Sequence, residues 1–135
     1  MVLKRIAGLF VLGIAVLAVA VPALAAAPKK GGLYTWAKTN TTVTQSLVSW
    51  IKLQVRADGK SAKVIWSCNN APPPTSITFK LKPDGTFKAV SNPSGNLLLW
   101  YVQGRFISAT QVKVYLSLNV VCAGKGIHTV LKLKS

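Results

Sequence analysis

Val112-Lys113-Val114-Tyr115-Leu116-Ser117-Leu118-Asn119-Val120 decides the fold class. Val112, Val114, Leu116, Leu118 and Val120 fall at every second position, and Lys113, Tyr115, Ser117 and Asn119 fill the positions between. Successive side chains of a strand point to opposite faces, so this run buries one face and wets the other; a helix would need an apolar repeat near 3.6. Outward from it the same code recurs in Ile77-Thr78-Phe79-Lys80-Leu81-Lys82, in Ser49 to Arg56 with Ile51, Leu53 and Val55 inward, and in Ile127 to Lys134 with Ile127, Leu131 and Leu133 inward. From Leu33 onward no stretch keeps a helical repeat over two turns. One buried face and one wet face points to antiparallel sheet.

Turn chemistry separates these runs. Ala57-Asp58-Gly59-Lys60 stands between the second and third expected strands, and Pro83-Asp84-Gly85 between the fourth and fifth. Asp accepts local backbone bonds and Gly supplies positive φ, so both read as hairpin turns and both aspartates of the chain are used in them. Longer connections hold Pro72-Pro73-Pro74 and, between Ser91 and Asn96, Pro93 and Gly95. The expected strands are Leu33 to Lys38, Ser46 to Arg56, Ala62 to Cys68, Ser76 to Lys82, Thr86 to Val90, Leu97 to Phe106, Gln111 to Val121 and Ile127 to Lys134. Short strands at this spacing imply an all-β antiparallel sandwich or a small up-and-down barrel of about eight strands, and the short loops favour a meander.

Before the sheet comes a different kind of segment. Lys4 and Arg5 precede the uncharged run Ile6 to Val21, followed by Pro22 and Ala23-Leu24-Ala25, the order of a secretory signal peptide cut after Ala25. A retained anchor is the alternative, since the apolar stretch to Ala27 is long enough to span a bilayer. Residues 1–25 are therefore read as the signal peptide, 26–32 as a flexible leader rich in Pro, Lys and Gly, and 33–135 as the all-β domain. Export places Cys68 and Cys122, the only cysteines, in an oxidising compartment that favours one disulfide between them. Such a bond stabilises by about 4 kcal/mol in the chain-entropy model.

Composition then narrows the function. The 135 residues are 50% hydrophobic, and 17 Lys and Arg stand against 2 acidic residues, for a formal charge of +15. Catalysis is poorly supplied: His128 lies on a strand without a local carboxylate and reads as a solvated surface residue, and two turn-bound aspartates cannot flank a glycosidic bond. No enzyme activity, cofactor or metal is expected. The alternation turns Lys52, Lys80, Lys82, Lys88, Lys113, Lys132 and Lys134 outward, an electropositive surface suited to an anionic envelope or extracellular polymer or to a membrane surface. The same lysines also guard strand edges against pairing. Arg56 and Arg105 are the only arginines beyond the leader, too few forks for reading bases, so sequence-specific nucleic acid is not an expected partner. The alternative function is a carbohydrate-binding module that stacks sugar rings on outward Trp50 and Tyr115. A structural surface domain without a ligand is the third class. Trp36, Trp66 and Trp100 read as core.

Gly32-x-Tyr34, Cys68 after the third expected strand, Phe79-Lys80-Leu81-Lys82-Pro83-Asp84-Gly85-Thr86-Phe87, Val102-Gln103-Gly104-Arg105-Phe106 with Ser108-Ala109-Thr110, and Cys122 near Gly124 form a combined pattern. It resembles a group of small, uncharacterised secreted bacterial all-β proteins with a signal peptide, a PDGTF hairpin, a GRF strand and two cysteines. The resemblance spans most of the chain after the leader and implies an all-β fold and export. It implies no activity, and no functional residue is transferred from it.

Overall fold

A computed structural model describes residues 26–42, 44–69, 75–91, 100–118 and 122–135. The expected signal peptide, the Pro72-Pro73-Pro74 loop, the loop with Pro93 and Gly95, the start of the sixth expected strand at Leu97 and the end of the seventh at Asn119 to Val121 lie outside the described residues. Strands form at all eight expected places: β1 (Leu33–Ala37), β2 (Val48–Val55), β3 (Ser61–Cys68), β4 (Thr75–Lys80), β5 (Thr86–Ser91), β6 (Trp100–Ser108), β7 (Gln111–Leu118) and β8 (Ile127–Leu133).

They build one antiparallel sheet in the order β4-β3-β2-β1-β8-β7-β6-β5. The first and last strands pair, with Tyr34 opposite Leu133 and Thr35 opposite Lys132, so the sheet rolls and brings its two edges, β4 and β5, side by side. Phe79 of β4 and Phe87 of β5 stack across that seam with centroids 4.8 Å apart, and at its far end Trp66 of β3 meets Trp100 of β6 edge to face at 5.6 Å. Of the two expected architectures the chain therefore forms the up-and-down barrel, open along one seam; two stacked sheets do not form.

The turn Pro83-Asp84-Gly85 closes as expected, with Lys82 N donating to Thr86 O at 3.0 Å and Gly85 N to Lys82 O at 2.9 Å. Its ladder stops there. Leu81 N donates to Lys60 O and Phe106 N to Gly85 O, so the backbone on each side of the turn bonds to β3 and β6 instead of across the seam. Gly59 and Gly85 hold φ of 72° and 78°, the left-handed region both Asp-Gly turns need.

Inside the barrel, Tyr34, Ile51, Leu53, Val64, Val102, Phe106, Val112, Val114, Leu116 and Leu131 are fully buried. Trp66 and Trp100 join them, while Trp36 is half-buried against the same cluster. Each large apolar side chain withdrawn from water here stabilises the fold by about 1.5–3 kcal/mol. Outside, Lys, Thr and Gln alternate with these residues, the reverse of a membrane barrel, whose outer band is apolar. Among the described residues the interior is a packed core.

One expectation changes. Ala26 to Gly32 does not hang free among the described residues: Ala26 packs on the core cluster, Gly31 N donates to Arg56 O at 3.1 Å, Val55 N donates to Gly32 O at 2.9 Å, and Lys29 N donates to the Tyr34 hydroxyl at 2.9 Å. That hydroxyl in turn donates to Ala109 O at 2.5 Å, so a buried tyrosine ties the leader to the β6–β7 turn. The expected disulfide forms: Cys122 opens a single 3-10 turn, Cys122–Gly124, and the Cys68–Cys122 bond, with Cα atoms 5.7 Å apart, joins the end of β3 to that turn.

Candidate functional site

The outer face of β5 to β8 carries its side chains in rows set by register. In one row Lys88 stands opposite Gln103, Gln103 opposite Tyr115, and Tyr115 opposite His128. In the next, Thr86 stands opposite Arg105, Arg105 opposite Lys113, and Lys113 opposite Val130. Neighbouring rows are two residues apart on each strand, about 7 Å. Apart from Val130, these residues line a surface cleft of about 470 Å³ together with Lys82. Gly104, half-exposed at the bottom of the lining, has Phe87 directly beneath it: a Cβ there would come within 2.5 Å of the Phe87 ring and 2.4 Å of Lys113 O. The missing side chain lets the seam phenylalanine close under the cleft.

Electrostatically the lining is one-sided. Lys82, Lys88, Arg105 and Lys113 contribute four cations and no carboxylate belongs to it. Arg105 and Lys113 are direct cross-strand partners, the only like-charged pair in the described ladders, and like charges so placed destabilise a sheet. At ~5 Å in water two such charges repel by about 0.8 kcal/mol. Asp84 is the nearest acid. Its carboxyl is held below the usual range by the Thr86 hydroxyl at 2.6 Å and the Thr86 amide at 2.9 Å, with Lys82 adding a smaller attraction. Lys82 is thus partly matched, while Lys88, Arg105 and Lys113 face the cleft without an acid.

The same cleft is aromatic along one side. Tyr115 and His128 stack with centroids 4.0 Å apart and planes 13° from parallel, Tyr101 meets Tyr115 edge to face at 5.8 Å, and Lys88 Nζ lies 5.2 Å from the Tyr101 ring centre. Among the described residues no group of three or more His, Cys, Asp or Glu comes together in a way that could hold a metal ion. No match stands behind this geometry. The chain matches no family model, no curated protein and no solved structure.

Every lysine expected to face outward is exposed, but they are not brought together. Lys82, Lys88 and Lys113 share the cleft. Lys132 sits between Thr35 and Gln111 farther along β8, and Lys134 follows β8 with its amide bonded to Leu33 O. Lys52 and Lys80 belong to the other half of the barrel, Lys80 opposite Ser61. Trp50 and Tyr115 are likewise apart: β1 and β8 lie between their strands, and Lys52 Nζ covers the Trp50 ring at 5.0 Å from its centre. Of the polar and charged lining residues, Thr86, Gln103, Arg105 and His128 lay outside the expected sites. The alternation of Tyr101, Gln103 and Arg105 marks the last two of those strand positions as outward, but which residues of the next strand stand beside them is a matter of register.

Proposed function

We propose that this protein is an exported binding domain, not an enzyme, that holds an anionic envelope or extracellular polymer on the outer face of β5 to β8. The observation that carries this is the Arg105–Lys113 pair, set side by side with Lys88 around a cleft that contains no carboxylate. A fold gains nothing from opposing like charges on neighbouring strands, whereas a polyanion crossing the cleft relieves their repulsion and gains two or more attractions at once. Export rests on the basic, apolar and small-residue order of residues 1–25 and agrees with the disulfide, which suits an oxidising compartment.

The test compares two triple variants with equal loss of charge. Lys88→Gln/Arg105→Gln/Lys113→Gln removes the cleft cations, and Lys52→Gln/Lys63→Gln/Lys80→Gln removes three from β2 to β4. On an immobilised polyanion at low salt the first should lose most of its retention and the second should keep it. Equal losses would mean that net charge alone drives adsorption and that no site exists.

A further inference from the structure

We infer that the polymer is an acidic polysaccharide, bound by sugar ring and carboxylate together, and this rests on the anionic-polymer reading above. The carrying observation is the adjacency of two rows of different chemistry: Gln103, Tyr115 and His128 in one, Arg105 and Lys113 in the next. A polymer recognised through charge alone, such as a polyphosphate, gains nothing from an amide and two aromatic rings set among the cations. A uronic acid unit uses both rows. Its pyranose ring presents C–H groups that pack on aromatic carbon, its hydroxyls pair with an amide, and its carboxylate projects from the ring edge, where the long Arg105 and Lys113 side chains of the next row can meet it. With the ring over the Tyr115 side, that carboxylate reaches Arg105 or Lys113, where the guanidinium can take both oxygens.

The stack itself suits this task. Tyr115 and His128 lie nearly parallel, each covering one face of the other, and Tyr101 abuts Tyr115 from another strand, so the aromatic wall is held by neighbours before any ligand arrives and meets a sugar with its solvent-facing rim. A preorganised wall loses little side-chain freedom on binding. Trp50 offers no equivalent, because β1 and β8 separate its strand from Lys113. Ring contact is insensitive to salt and charge contact is not, so a two-part site leaves a characteristic pattern.

The experiment measures binding of the intact barrel to polygalacturonate and to polyphosphate of matched charge, at low salt and at about 0.4 M NaCl, where exposed charge pairs are largely screened. Unmodified protein should bind both at low salt and keep measurable affinity only for polygalacturonate at high salt. Tyr115→Leu should weaken polygalacturonate binding on the order of tenfold and leave polyphosphate binding unchanged, with Tyr115→Phe close to the unmodified protein. Equal affinity for both polymers at each salt concentration overturns the polysaccharide assignment while leaving the anionic site standing, and needs no variant. Binding to neither polymer at low salt overturns both.

Discussion

The two halves of the barrel carry lysines at the same strand positions and use them differently. On β2 to β4, Lys52 faces Ile65 and Thr35, Lys63 faces Gln54 and Thr78, and Lys80 faces Ser61, so each charge has neutral cross-strand neighbours. On β5 to β8, register sets Arg105 against Lys113 and brings Lys88 into the next row, beside aromatic rings. Alternation makes a lysine exposed; only register makes it part of a site. In the proposed reading, a basic composition gives adsorption to polyanions in general and the opposed pair concentrates it on one face.

Several changes separate the halves experimentally. The largest effect is expected from Cys68→Ser/Cys122→Ser, because this disulfide ties the end of β3 to the turn before β8 and so links the two halves. Denaturant unfolding should show a loss of about 2–5 kcal/mol, and a loss under 1 kcal/mol would mean that β1–β8 pairing alone holds the halves together. Next is Gly104→Val, which drives a side chain into Phe87 and the Lys113 carbonyl. We expect a cost of about 1–3 kcal/mol by overpacking and a loosened cleft, against near neutrality for Ile65→Val on the outer face of β3.

Smaller effects concern charge. Arg105→Gln should raise stability by about 0.2–1 kcal/mol by removing the like-charged pair, whereas Lys63→Gln should leave it unchanged. Thermal melts at low salt check this, and the gain should vanish when salt screens the repulsion. The least effect is at Asp84. Hydrogen bonds from Thr86 lower its pKa in the folded chain, so its contribution is present above the unfolded value near ~4 and is lost as pH falls through the lower folded value. The difference in melting temperature between the unmodified protein and Asp84→Asn should narrow below about pH 4 and stay constant above it.

Much of this was legible in the residues and part was not. The period-two code set inward and outward faces correctly at Val112 to Leu118 and Ile51 to Val55, because a strand side chain has only two directions to point. Closure was not legible: β1–β8 pairing depends on how far the sheet coils, and the turn at Pro83-Asp84-Gly85 looks the same whether a ladder follows it or, as here, a seam filled by Phe79 and Phe87. The site shows the same split. Lys88 and Lys113 could be placed on the surface from their own strands, but their meeting with Arg105, Tyr115 and His128 depends on the registers of β5, β6, β7 and β8, which no single strand encodes. The leader misled for a related reason. Its Gly and Lys residues offer nothing apolar, yet its backbone finds partners at Arg56, Val55 and Tyr34.

An NMR titration of the folded domain with a short anionic oligosaccharide tests the localisation most directly. Amide and side-chain shifts should change at Lys88, Gln103, Arg105, Lys113, Tyr115 and His128, weaken without vanishing when salt is added, and leave Lys52, Lys63 and Lys80 unmoved. Shifts spread evenly over the lysines of both halves, or gathered around Trp50, would contradict a binding site on the β5 to β8 face.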